Sequence, residues 1–168
     1  MLKLIYLACL TLLACTTEGH AKFSKIEKHK LQIKALHSEY RSEESFHGII
    51  EAFKHRESTA GRLFVRSDPQ RRDGLYFVVS FRSAIRLIPA NSKITIHFIT
   101  DSNPHEECHS WQIPSTQRHF SNTLYLGLTD GRSAATKVIC WQVILSDANN
   151  TPLSELHSFA WEMPDEAH

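Results

Sequence analysis

From residue 62 to residue 161 the chain is a succession of short runs in which apolar and polar side chains alternate, each closed by a turn sequence. A side-chain period of two marks a strand with one buried face, and it leaves few folds open to a chain like this. Leu63 and Val65 share a face in the run 62–67. Leu75, Phe77, Val79 and Phe81 do so in 75–82, and Ile94, Ile96 and Phe98 in 93–100. Further runs cover 108–113, 123–128, 137–145 and 153–161. Asp68-Pro69, Asp73-Gly74, Pro89-Ala90-Asn91-Ser92, Asp101-Ser102-Asn103-Pro104, Thr129-Asp130-Gly131 and Asp147-Ala148-Asn149-Asn150 lie between them, and each is a turn by its residue types. Helices do not alternate with these runs, so a parallel sheet is not expected. The pattern predicts a mostly β protein, an antiparallel immunoglobulin-like sandwich. Its expected core is Leu75, Phe77, Val79, Phe81, Ile94, Ile96, Phe98, Leu124, Leu126, Leu128, Ile139, Trp141, Val143 and Leu145.

Upstream, the periodicity changes. Phe46, Ile49, Ile50 and Phe53 have helical spacing, with Ser42 placed to cap and Lys54, His55 and Arg56 in the last turn. They predict one short helix over 43–55, with Phe46, Ile50 and Phe53 covering an opening or edge of the sandwich. Residues 22–41 are lysine-rich and read as a leader running into a possible first strand near Leu31, Ile33 and Ala35. The sandwich domain is expected over 42–164, and a chain of 168 residues has room for one such core.

The first 21 residues read as a signal peptide. Lys3 is followed by an apolar or neutral run, Leu4–Ala14, too short to span a bilayer, which takes about 20 residues. Gly19-His20-Ala21 offers one cleavage site. Leu12-Leu13-Ala14-Cys15 resembles a lipobox and offers another, which would make Cys15 a lipidated first residue. The protein is thus expected in the periplasm or as an outer-membrane lipoprotein, otherwise secreted, touching a membrane only through that anchor. With 19 Lys and Arg against 18 Asp and Glu, charge gives no case for nucleic acid.

Export brings an oxidising compartment, so Cys108 and Cys140 are candidates for a disulfide, worth roughly 3–4 kcal/mol in chain entropy. The competing use of Cys108 is metal binding with His105 and His109, since imidazoles and a thiolate are zinc and copper ligands. The flat rings of Trp111, Tyr76 and Tyr125 are candidates for a ligand platform, although strand parity places most aromatic residues in the core. Arg62, Arg66, Arg71, Arg72, Arg82 and Arg86 crowd one stretch, which reads as a solvated sheet face. The sequence has no G-x-S-x-G elbow, and neither a catalytic residue nor a cofactor is expected.

The stretches "ESFHGIIEAF", "GLYFVVSF", "LYLGLTDG" and "CWQVILSDANNTPLSELHSFAWE" resemble a group of uncharacterised exported bacterial β-sandwich proteins. The resemblance spans about residues 43–162. It rests on turn glycines and strand aromatics in the G-L-Y-F, G-L-T and S-F-x-W motifs, and it implies an envelope sandwich without bringing an activity. The expected role is therefore non-enzymatic, by binding or assembly with an envelope protein or glycan. A carbohydrate- or ligand-binding module and a metal-binding protein using the 105–109 loop are the alternatives.

Overall fold

The computed structural model describes residues 31–46, 62–114, 116 and 119–161. Eight strands are found: β1 Ile33–Arg41, β2 Leu63–Arg66, β3 Gly74–Phe81, β4 Lys93–Thr100, β5 Glu107–Gln112, β6 Thr123–Leu128, β7 Val138–Ser146 and β8 Pro152–His157. They form two four-stranded sheets, ordered β1-β3-β6-β2 and β5-β4-β7-β8. The alternating side chains of both sheets meet in one core. Phe77 of β3 lies 5.0 Å from Phe98 of β4 and 6.2 Å from Trp111 of β5, ring centre to ring centre. Trp111 Nε1 also donates to the Gly127 carbonyl of β6 at 3.3 Å, tying the sheets through the core.

The predicted strands from 62 onward are all present, and the pairing is antiparallel with one exception. β2 runs parallel to β6, Phe64 opposite Tyr125. The expectation of purely antiparallel sheets is corrected there, because β2 reaches the far edge of its sheet instead of pairing with its neighbour β3. The last strand stops at His157, and residues Phe159–Trp161 form a 3-10 turn. The first strand runs on to Arg41, longer than the leader's alternation suggested.

Of the predicted core, Leu75, Phe77, Val79, Phe81, Ile94, Ile96, Phe98, Leu124, Leu126, Leu128, Val143 and Leu145 are buried, and Trp141 is half-buried against them. Ile139 is 58% exposed, which overturns its assignment. A register shift in the β4–β7 pairing lies between Ile99 and Thr100, and Ile139 is skipped there, with Cys140 opposite Ile99 and Val138 opposite Thr100. Leu31, Ile33, Leu36, Ile85, Ile88, Trp111 and Ile113 complete the core. Of the predicted helix only the turn Glu43–Phe46 is described, as a 3-10 turn that buries Phe46; Ile49, Ile50 and Phe53 lie outside the described residues. So do the signal peptide, Cys15 and the lysine-rich stretch up to residue 30. Among the described residues, no helix is long and apolar enough to cross a membrane.

Candidate functional site

The outer face of the β5-β4-β7-β8 sheet follows from strand parity. Ile94, Ile96 and Phe98 of β4 point inward, so Thr95, His97 and Ile99 point out. The register places His97 opposite Cys108 of β5 on one side and Gln142 of β7 on the other. Cys108 is exposed, and its Sγ lies 3.8 Å from His97 Nε2. On the other edge of the ring, His97 Nδ1 is 2.7 Å from Glu106 Oε1. A carboxylate accepts, so the proton on this side sits on Nδ1, and in the neutral ring Nε2 is then an acceptor facing the thiol. Thiol, imidazole and carboxylate thus stand in line on an open sheet face.

Polar and aromatic groups surround this line on the same face. The Trp161 ring meets the His97 ring edge to face at 6.4 Å. Gln142 Nε2 donates to Glu155 Oε1 at 2.6 Å, and the Thr95 and Ser110 hydroxyls share a bond of 2.8 Å. Cys140 lies on the same face but is buried, and that burial pushes its thiol pKa up.

Cys108 and Cys140 are not bonded; both are free. Cys108 pairs across to His97 and Cys140 to Ile99, from opposite sides of β4. Two strand spacings alone put them about 9–10 Å apart, beyond the roughly 7 Å that a disulfide spans. The disulfide expectation is corrected accordingly. Nor do His105, Cys108 and His109 come together. Cys108 and His109 are successive residues of one strand and point to opposite faces, and among the described residues no three His, Cys, Asp or Glu side chains form a metal site. His109 turns toward the core side, 4.5 Å from the Trp111 ring, where burial lowers its pKa.

The proposed ligand platform is dispersed. Trp111 is in the core at 3% exposure, and Tyr76 is fully buried on the outer face of the other sheet. Tyr125 is half-buried there, stacked on Phe64 at 4.6 Å. Arg41 lies over the rings of Phe46, Phe64 and Tyr125, and Arg66 over Phe46 and Phe64, so guanidinium groups occupy faces that a sugar ring would need. Arg66 Nε further donates to Tyr76 Oη, which donates to the Arg72 carbonyl. Arg66 therefore belongs to a cation–aromatic layer, and Arg62, exposed, lies over the Tyr125 ring at its rim.

His97 is the site residue that sequence reasoning passed over, and Glu106 entered it only as a member of the 105–109 loop. A signal for them existed. A hairpin turn centred on Ser102 and Asn103 makes residues 97 and 108 equidistant from its middle, hence opposite each other on one face. Glu107, next along, belongs to a different group: Arg132 holds it through two hydrogen bonds of 3.0 and 2.6 Å and lowers its pKa. No protein-family model matches the chain, and neither a curated protein nor a solved structure does.

Proposed function

We propose that the chain is an exported, non-enzymatic envelope protein that binds another envelope protein through the outer face of its β5-β4-β7-β8 sheet. The observation that carries this reading is two large apolar side chains left exposed on β7 and on the turn that follows β8. Phe159 is 84% exposed and Ile139 is 58% exposed. Ile139 belongs to β7, and the turn Phe159–Trp161 is tied to the same strand, Ser158 N donating to the Trp141 carbonyl at 2.8 Å. Exposed aromatic and aliphatic anchors beside polar, hydrogen-bonding side chains are the composition of an interface centre with its rim. An immunoglobulin-like sandwich is part of the proposal; the pairing of β3 with β6 and the order β5-β4-β7-β8 support it, and the parallel β2 departs from it. Periplasmic or surface location, by signal peptide or through a lipid on Cys15, is part of the proposal, as is kinship with the exported bacterial sandwiches that the four stretches resemble.

A pull-down from envelope extract with the mature protein tests it. A captured protein should be lost with Phe159→Ser and Ile139→Ser together. It should be kept with Phe120→Ser, an exposed aromatic elsewhere on the molecule. Equal capture by all three proteins would defeat the reading.

A further inference from the structure

The line Cys108–His97–Glu106 has the parts of an activated nucleophile: a thiol, a base within reach of it, and a third group that orients the base. We propose that Cys108 is a thiol–disulfide exchange site that takes disulfide-bearing molecules and keeps them as a mixed disulfide. The inference does not depend on the binding face proposed above.

The step is as follows. Cys108 gives its proton to His97 Nε2, and the thiolate attacks one sulfur of a disulfide RS–SR. That S–S bond breaks as the Cys108 S–SR bond forms, and the departing RS⁻ takes the proton from His97 as RSH. One disulfide is consumed and one is made, so no external oxidant or reductant enters. Glu106 is a positioning residue. Its carboxylate fixes the Nδ1–H tautomer and stabilises the imidazolium that forms, and it does not touch the reacting sulfurs.

Disulfides are favoured as the class because of where the thiol stands. Cys108 is exposed on a sheet face, where a second sulfur can reach it. Cys140 explains why the adduct stays. The usual release of a mixed disulfide is attack by a second thiol of the same chain. Cys140 is the other described cysteine, and it lies on the far side of β4, buried, with its proton held by that burial. Among the described residues no second thiol stands within reach of the adduct, so Cys108 holds the partner as a mixed disulfide.

The test uses the purified full chain with oxidised glutathione as the disulfide, followed by intact mass and peptide mapping at pH 7. In the peptide map an adduct on Cys108 is expected, read separately from Cys9 and Cys15, with Cys140 unmodified, and it should persist after the excess disulfide is removed. His97→Gln should slow adduct formation about 10-fold or more, since an unassisted thiol is only a few per cent thiolate at this pH. Glu106→Gln should slow it several-fold and Glu106→Asp should restore it, a split that a merely structural role would not produce. Both side chains are on the surface, and Glu106 is more than half exposed, so its variants keep the test open if His97→Gln is poorly folded. Equal rates in the wild type and the glutamine variants would overturn the activation. Loss of glutathione with formation of a Cys108–Cys140 bond would overturn the capture.

Discussion

The two outer faces of this sandwich are built from the same alternation and end up opposite in character. On the β1-β3-β6-β2 sheet, Phe46, Phe64, Tyr76 and Tyr125 pack edge to face or stacked, with Arg41 and Arg66 laid over them. Tyr76 is as inaccessible as the core residues on the other side of its strand. Gly127 makes this possible, because a Cβ there would come within 2.7 Å of the Tyr76 ring. On the other sheet the outward positions carry Thr95, His97, Cys108, Ser110 and Gln142, and Cys108 is open to solvent. Alternation decides which side chains leave the core. The size of those side chains, and what lies across them, decides whether the face they form is sealed or reactive.

The sharpest way to break the comparison is Tyr76→Ala. If this outer face is a second packed layer, the change should cost about 3–5 kcal/mol, like loss of a core aromatic. Equilibrium denaturation reads it directly, and a cost below 1 kcal/mol would make the layer ornamental. Gly127→Ala comes next. The added methyl must push the Tyr76 ring aside, so a destabilisation of about 1–3 kcal/mol is expected by the same measurement.

Glu107→Gln calibrates both faces against a pair that lies on neither. The Glu107 and Arg132 side chains are about a fifth exposed, and Arg132 also lies 5.4 Å from the Phe98 ring. Loss of roughly 1 kcal/mol at pH 7 is expected. The sign with pH follows from the lowered Glu107 pKa. The pair's contribution is complete above the ordinary glutamate value of about 4.3 and disappears as pH falls below it through the lowered folded value. Wild type and variant should therefore converge in stability in acid; a constant gap down to pH 2 would contradict this. Smallest of all, Gln142→Ala on the open face should change stability by no more than about 0.5 kcal/mol. A loss like that of Tyr76→Ala would show the two faces to be alike.

The strands were legible because each is short, strictly alternating and bounded by turn residues, and a core residue such as Phe77 or Leu126 declares itself by phase alone. Ile139 does not, because the register shift beside it is an event of pairing that a single strand's pattern does not record. Tyr76 looked like a ligand-contacting ring for a related reason. Its outward phase is visible in the sequence, but the covering rings, Phe64 of β2 and Phe46 of the turn Glu43–Phe46, come from other elements. The thiol site was half legible. Cys108 stood out as a residue type, but the search for its partners ran along the chain to His105 and His109. The partner on the same face lies across the hairpin.

β2 carries a consequence for how the molecule assembles. It is the shortest strand, four residues, with β6 as its sole partner in the sheet. Three strands, β3, β4 and β5, separate the two along the chain, so Leu63–Arg66 has nowhere to dock until β6 is in place beside β3. Loop closure of that length is slow relative to forming the β4–β5 and β7–β8 hairpins. The amides of Leu63–Arg66 should gain protection from exchange last during refolding. In the native state they should lose it first, which makes this edge the hinge at which the aromatic layer peels open before the core does.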